Sequence, residues 1–269
     1  MVATVAVRAT PEIGGSALLS VRGVSVRFGG IIALDGISFD VPAGAIQGLI
    51  GPNGAGKTTL FNCLSRLYIP DEGDILFEGQ SVLAKPRHAI PQLGIGRTFQ
   101  NAALFDRMSV FDNIKVGCHA RTGTGFLTNA LRLPARSPEE NRIAGRAQEL
   151  LAFMALEPFA RHAAGALPFP VKKRLELARA LASNPKLLLL DEPAAGLNHD
   201  EVDVLRGQIR RIRDTQSVTV LLVEHHMGLV MSVCDRVVAL DFGKKIAEGT
   251  PAEVQQSPDV IRAYLGTGA

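Results

Sequence analysis

A stretch of glycines, a lysine and threonines early in the chain has the residue types and spacing to hold a phosphate group. Residues 51–58 match the pattern G-x-x-x-x-G-K-[ST] at every fixed position. Glycines let the backbone wrap around an anion with its N–H groups, because no Cβ atom intrudes. We therefore expect phosphate contacts from Gly51, Pro52, Asn53, Gly54, Ala55, Gly56, Lys57, Thr58 and Thr59.

The elements on either side of this loop support a nucleotide site. The apolar run 45–50 predicts a buried strand, and residues 60–64 predict a helix whose positive N-terminus faces the same anion. We expect Lys57 to reach the β- and γ-phosphates of a nucleoside triphosphate and the Thr58 hydroxyl to ligate Mg²⁺. A glycine-rich turn with a chance lysine and threonine is the alternative, and the strand–loop–helix order argues against it.

Two carboxylates follow a second apolar run. Residues 187–190 are all leucine and predict a buried parallel strand, and Asp191 and Glu192 come directly after it. Ligands of α/β sheets bind at the carboxyl ends of the strands. We expect Asp191 to hold Mg²⁺ through water and Glu192 to take the proton of an attacking water. The alternative is a pair of acidic residues that caps a helix.

Three further side chains are candidates on their positions alone. Gln100 ends a predicted strand and has an amide oxygen to ligate Mg²⁺ and sense the terminal phosphate. His225 follows the predicted strand 218–223 and is able to hydrogen-bond the γ-phosphate, although His226 beside it leaves the choice open. Phe28 ends an alternating strand, where it either stacks on adenine or packs into the core. Alone, the glutamine is more often a surface residue and the histidine a polar cap.

The composition excludes several classes of protein. The net charge of +3, from 29 basic and 26 acidic residues, gives no reason to expect nucleic acid as a partner. Cys63, Cys118 and Cys234 lie far apart without C-x-x-C spacing, which favours a reducing compartment over disulfides or a zinc site. No apolar run approaches the roughly 18 residues that span a bilayer, so work at a membrane requires docking onto an integral partner.

Alternating strands and helices after the phosphate loop predict an α/β fold with a mostly parallel sheet covered on both faces. The alternating stretches 18–28, 37–41 and 74–79 predict an antiparallel layer beside that sheet. Residues 109–165 are rich in alanine and predict a helical subdomain inserted into the core. The proline, glycine and threonine content of residues 1–17 predicts a flexible tail.

The order of these motifs resembles that of the ATP-binding cassette (ABC) ATPases, the nucleotide-binding subunits of ABC transporters, over about residues 18–266. Within that superfamily, the chain resembles the ATP-binding subunits of branched-chain amino acid importers. The tail and the AAGLN string are the parts most specific to that group. The resemblance is carried by VRFGG at 26–30, GIGRTFQ at 94–100, DEPAAGLN at 191–198, VEHHMGLVM at 223–231 and PDVIRAYLG at 258–266.

The resemblance implies roles for single residues and for larger segments. Phe28 matches the aromatic residue that stacks on adenine, Gln100 matches the glutamine of the Q-loop, and His225 matches the switch histidine. Residues 194–198 match the D-loop. Residues 109–165 match the helical subdomain, which with the Q-loop implies a docking surface for a transmembrane partner.

The resemblance also implies the fold type, cofactors and partners. It implies a P-loop NTPase core of the RecA-like type, with residues 18–269 forming one ATPase domain that ends in a family tail at 250–269. The cofactors are ATP and Mg²⁺. The partners are a second ATP-binding cassette, identical or different, and permease subunits, with a solute-binding protein as an indirect partner and no nucleic acid. The place of work is the cytoplasmic face of the membrane.

One family motif departs from its usual form. The signature, usually close to Leu-Ser-Gly-Gly-Gln, aligns with Leu167-Pro168-Phe169-Pro170-Val171, and residues 173–180 downstream fit well. In the family, this signature opens a helix whose N-terminus clamps the γ-phosphate bound to the opposite subunit. Pro168 and Pro170 have no backbone N–H to donate, although proline is also favoured in a first helical turn. A weak signature supplied to a different partner cassette is therefore one hypothesis.

Four functions fit these residues to different degrees. A transport ATPase for branched-chain or related amino acids accounts for all the motifs. A soluble ABC protein in translation or repair usually carries two cassettes or a long coiled insertion, and this chain has a single phosphate loop. A module that binds ATP but hydrolyses it poorly fits the altered signature. A P-loop kinase leaves His225 and residues 194–198 without a role. The transported solute is left open.

Overall fold

This computed structural model describes residues 17–98, 104–118 and 136–265, which form a six-stranded sheet and a four-stranded sheet. The strands are β1 (Ala17–Phe28), β2 (Ile31–Pro42), β3 (Ile46–Ile50), β4 (Glu72–Phe77), β5 (Gln80–Ser81), β6 (Ile95–Arg97), β7 (Leu187–Asp191), β8 (Thr219–Val223), β9 (Arg236–Asp241) and β10 (Lys244–Gly249).

The larger sheet is mostly parallel, as expected from the alternation of strands and helices. Its order is β10–β9–β3–β8–β7–β6, and every neighbouring pair is parallel except β9 and β10. β3, β7 and β8 are buried along their whole length because apolar cores cover both faces, which explains their continuous apolar runs. The carboxyl ends of these three adjacent strands therefore open at one edge of the sheet.

The smaller sheet is the antiparallel layer, in the order β2–β1–β4–β5. β1 and β2 form a long hairpin in which Phe28 pairs with Ile31 across Gly29 and Gly30. The sequence predicted the second strand only over 37–41, because Ile31 and Ile32 are exposed and break the alternation expected of a half-buried strand.

Helices pack mainly on the face of the large sheet opposite the antiparallel layer, while α1 lies on the side of that layer. Among the described helices, none combines the length and the apolar character that a membrane crossing requires. The helices are α1 (Lys57–Leu64), α2 (Ile90–Leu93), α3 (Val110–Cys118), α4 (Arg136–Phe153), α5 (Phe169–Ala182), α6 (His199–Gln216), α7 (Met227–Val233), α8 (Pro251–Gln256) and α9 (Pro258–Leu265).

The segment predicted as an inserted helical subdomain contains α3 and α4. Its two ends meet, because Val110 N donates to His162 O at 3.0 Å and Ala164 N donates to Met108 O at 2.9 Å. Residues 119–135 lie outside the described part of the chain. The domain boundaries, including the tail 1–17, stay predictions, although β1 already begins at Ala17.

One buried amide in the central strand has a measurable consequence. Gln47 in β3 is fully buried, and neither amide atom has a hydrogen-bond partner among the described residues. A buried polar group without a partner costs about 1–3 kcal/mol. We expect Gln47→Met, which keeps the unbranched shape, to raise the free energy of unfolding by about that amount, with a melting temperature higher by about 2–4 °C per kcal/mol.

The matched control is Gln255→Met on the exposed face of α8, which we expect to change stability by less than about 0.5 kcal/mol. Thermal unfolding of both variants beside the unmodified chain gives the comparison. A lower melting temperature for Gln47→Met would mean that the amide is satisfied in solution.

Candidate functional site

The loop after β3 contains two glycines, Gly51 and Gly56, at which any side chain would clash with the backbone of another strand. Gly51 has φ = 150°, and an added Cβ there would lie 2.2 Å from the carbonyl oxygen of Leu240. Gly56 precedes α1 with φ = 98°, and an added Cβ there would lie 2.6 Å from the carbonyl oxygen of Ala33. The loop is therefore packed tightly against β9 and β2 and leads directly into the N-terminus of α1, which begins at Lys57.

Lys57 lies inside this loop and braces it. Its Nζ donates to Gly51 O at 2.6 Å and to Pro52 O at 2.9 Å. Burial lowers the pKa of Lys57, while the negative charges of Glu192 and Asp191 oppose that shift. The ammonium group is thus held where the loop would surround a phosphate, in the field of the two carboxylates at the end of β7.

A cleft of about 430 Å³ opens at this loop. Phe28 does not line it: its ring is 47% exposed and contacts Tyr68 edge-on, with centroids 5.4 Å apart. The apolar lining comes instead from β2 and from the turn after β9, which the sequence analysis did not single out. The lining residues are Ile31, Ile32, Ala33, Asn53, Gly54, Ala55, Gly56, Lys57, Thr58, Thr59, Glu192 and Phe242.

Asp191 ends β7 and is held by an arginine that the sequence analysis missed. Its carboxylate is 3% exposed, and Oδ2 lies 2.8 Å from Nη2 of Arg97. The other guanidinium nitrogen, Nη1, donates to Phe61 O, Asn62 Oδ1 and Ser65 Oγ of the α1 region at 3.2, 3.0 and 2.9 Å. Arg97 therefore ties β6, β7 and the helix that follows the phosphate loop into one unit.

Glu192 and His225 come together at the adjacent strand ends. Glu192 adopts φ = 46° and donates its N–H to Val223 O at 2.9 Å. Its side chain is 18% exposed, and Oε2 lies 3.9 Å from Nδ1 of His225, whose ring is 58% exposed. His226 instead accepts from Leu229 N at 3.2 Å and caps α7. The two histidines thus have different surroundings: His225 faces the Glu192 carboxylate, and His226 caps α7.

Gln100, expected to ligate Mg²⁺, lies outside the described residues, as do its neighbours 99 and 101–103. Its proposed role rests on the sequence.

The altered signature opens α5, which begins at Phe169. Pro168 is its N-cap residue, and the N–H groups of Val171 and Lys172 both donate to Pro168 O at 3.0 Å. The Phe169 ring lies against residues 194–198, where an added Cβ on Gly196 would be 3.0 Å from it. The first turn of α5 therefore offers few free donors.

A second, mostly apolar groove of about 440 Å³ lies between α3, α5 and the β6 edge of the large sheet. It is lined by residues from α2, β6, α3 and α5, among them Ile90, Ile95, Val116 and Ala180. Phe105, at its edge, is exposed. α3 and β6 thus border one groove, whose lining also includes Arg87, Arg97 and Arg179.

Comparison with known proteins places the chain in a family. The ABC transporter family matches residues 34–195, and the branched-chain amino acid ATP-binding cassette transporter family matches residues 244–269. The chain is 43% identical to the high-affinity branched-chain amino acid transport ATP-binding protein BraF of Pseudomonas aeruginosa, over 93% of this chain and 98% of that protein. It is 41% identical to the corresponding LivG of Escherichia coli K12 over the same shares.

Solved structures support the same family. The fold matches the ADP conformation of an ATP-binding cassette of an ABC transporter with a TM-score of 0.82 and 30% identity, over 93% of this chain and 99% of the other. A nucleotide-free cassette matches with a TM-score of 0.81 and 30% identity over the same shares. The P-loop, the strand order and these similarities agree: the chain belongs to the ABC transporter family.

Proposed function

We propose that this chain is the ATP-hydrolysing subunit of an ABC importer and powers uptake of branched-chain or related amino acids through membrane partners. The observation that carries this proposal is the cleft at the phosphate loop, which is bordered by Lys57, Thr58 and Glu192. The relatives named for branched-chain amino acid transport support the choice of solute.

The residues present fit a magnesium ion that arrives with the nucleotide. Thr58 lines the cleft with an exposed side chain, and Asp191 Oδ1 accepts no hydrogen bond from the described residues, while Oδ2 pairs with Arg97. Mg²⁺ prefers oxygen ligands and keeps several waters. Thr58, Asp191 through water and Gln100 would hold the ion, which supplies charge neutralisation between the phosphates when bound.

Catalysis by this chain consists mainly of positioning and electrostatics on the terminal phosphoryl group. Lys57 and backbone N–H groups within residues 53–59 hold the phosphates. Glu192 takes the proton of the attacking water, and His225 beside it hydrogen-bonds the γ-phosphate. Phe28 stacks on adenine in this proposal, which requires the base to extend past Ile31 and Ile32 to the end of the hairpin.

The groove bordered by Phe105 is the docking surface for a permease subunit in this proposal. Its mostly apolar lining and its place beside α3 suit a short apolar segment of a membrane protein. Docking there would hold this chain at the cytoplasmic face of the membrane. A second cassette completes the assembly.

The experiment that tests the function is uptake of labelled leucine into vesicles that hold the permease subunits, a second cassette and this chain. We expect Lys57→Ala to abolish uptake, because the lysine braces the phosphate loop through Gly51 O and Pro52 O. The control is Lys186→Ala, an exposed lysine just before the amino end of β7, with assembly checked by co-purification. Full uptake by an assembled Lys57→Ala complex would contradict the proposed function.

A second candidate, weak hydrolysis at one of two sites, is favoured by the prolines that open α5. We expect Pro170→Gly to return a backbone donor to the partner's site, where one donor is worth up to about 10²–10³-fold in kcat. Phosphate release by the assembled complex would then rise toward twice the rate of the unmodified complex. No gain, with the partner's site already fully active, would remove this hypothesis.

A further inference from the structure

A buried carboxylate that the sequence analysis did not single out joins the two loops that carry Glu192 and His225. Glu224 follows the last residue of β8, and its side chain is fully buried. Its Oε1 accepts from Ala194 N at 2.7 Å. Its Oε2 accepts from His225 N at 3.1 Å and from His226 N at 3.2 Å.

These backbone donors explain how Glu224 is tolerated in the interior. A buried carboxylate is unfavourable unless hydrogen bonds or opposite charges replace its lost hydration. Within the described part of the chain, the N–H groups of Ala194, His225 and His226 are its hydrogen-bonding partners, and no cation pairs with it. The stability of the buried carboxylate therefore depends on the positions of both loops. In turn, the carboxylate holds the backbone of both loops in place.

Glu224 extends the connection between β7 and β8 beyond the point where backbone pairing ends. The ladder between the strands ends at Asp191 opposite Val223, followed by the bond from Glu192 N to Val223 O. Glu192 then takes a left-handed conformation, which costs a non-glycine residue about 1–3 kcal/mol and persists only where its surroundings hold it. The hydrogen bond from Ala194 N to Glu224 Oε1 holds the turn directly after Glu192.

We propose that Glu224 is a positioning residue that sets the spacing between Glu192 and His225 and thereby the rate of hydrolysis. This inference rests on the proposed function. The Glu192 and His225 side chains lie 3.9 Å apart. Glu224 accepts hydrogen bonds from the N–H of Ala194, two residues after Glu192, and from the N–H of His225 itself. It therefore fixes the backbone on which both members of this pair are carried.

The test replaces Glu224 by glutamine in the assembled transporter and compares kcat and KM for ATP with the unmodified complex. Glutamine keeps the shape but presents an NH₂ donor where one set of backbone N–H groups requires an acceptor. We expect kcat to fall by about 10²-fold, the cost of a misplacement near 1 Å. We expect KM to stay within about threefold, since the phosphate loop is untouched.

A double-variant comparison separates positioning from general loss of structure. In a His225→Ala background, Glu224→Gln should lower kcat by less than about threefold, because residues that act as a unit are not additive. Equal losses in both backgrounds, or a loss no larger than the loss of folded protein, would overturn the positioning role. The control is Glu253→Gln, which removes a carboxylate that accepts from Thr250 N at 2.7 Å in the α8 cap and should leave kcat unchanged.

Glu224→Asp provides the same test if the glutamine variant does not fold. Aspartate keeps the charge but is one methylene shorter, so a lower kcat at unchanged KM is expected, and a kcat equal to that of the unmodified complex would overturn the role. Failure of both variants to fold would make Glu224 a folding residue and would also overturn it. An unmodified complex without ATP hydrolysis would instead contradict the proposed function.

Discussion

Glu192→Gln is expected to lower kcat for ATP hydrolysis by about 10²–10⁴-fold, the contribution of a positioned general base. Glutamine fills the same space at the mouth of the cleft but cannot accept a proton. Nucleotide binding should persist, because Lys57 and the loop it braces through Gly51 O and Pro52 O are unchanged. The measurement is phosphate release by the assembled transporter at saturating MgATP, beside equilibrium binding of a fluorescent ATP analogue.

Glu157→Gln is the matched control, since Glu157 is an exposed acidic residue away from the cleft. It should leave both hydrolysis and binding unchanged. If Glu192→Gln hydrolyses ATP at the normal rate, Glu192 is not the base, and the strained backbone at this residue would need another explanation. Loss of binding together with hydrolysis would indicate that the side chain holds the loop and has no part in the chemistry.

Gly51→Ala is expected to lower the free energy of unfolding by about 2–6 kcal/mol, from overpacking and backbone strain together. The added methyl group would lie 2.2 Å from the Leu240 carbonyl oxygen and 2.9 Å from the Ala55 Cβ. Neither neighbour is the end of a flexible side chain, so the loop itself must shift. Since Lys57 donates to Gly51 O, that shift also displaces the ammonium, and ATP binding should be lost.

Gly79→Ala is the control that separates the cost of the left-handed backbone conformation from the cost of steric overlap. Gly79 also has a left-handed φ, of 75°, but an added Cβ there meets nothing within 4 Å. We expect a loss of only about 1–2 kcal/mol, with ATP binding intact. Thermal unfolding and nucleotide titration of the two variants side by side make the comparison. Equal stability losses would show that the collision with Leu240 is relieved at little cost.

The elements around the site that the sequence predicted correctly are buried and carry a local signal. The runs of β3 and β7 are apolar throughout because both faces are covered, so their carboxyl ends and the residues that follow were identifiable. The pattern of residues 51–58 similarly placed the loop between β3 and α1. Distinguishing His225 from His226 required tertiary information, namely the approach of His225 to Glu192 and the capping bond of His226.

The parts that the sequence did not predict depend on contacts between distant residues. Arg97 reaches Asp191 across 94 positions, and Glu224 reaches Ala194 across 30. No spacing rule connects such residues, because the sheet order brings them together. The apolar lining of the cleft by Ile31 and Phe242 was missed for a different reason: exposed apolar residues carry no periodic signal.

The way in which residues 109–165 join the rest of the chain has an evolutionary consequence. The hydrogen bonds between Val110 and His162 and between Ala164 and Met108 bring the two ends of the segment side by side. A segment anchored in this way can be lengthened, shortened or exchanged between lineages while the strand order and the catalytic edge of the sheet stay unchanged. Under the docking role proposed above, adaptation to a different membrane partner would change this segment and leave the residues of the cleft as they are.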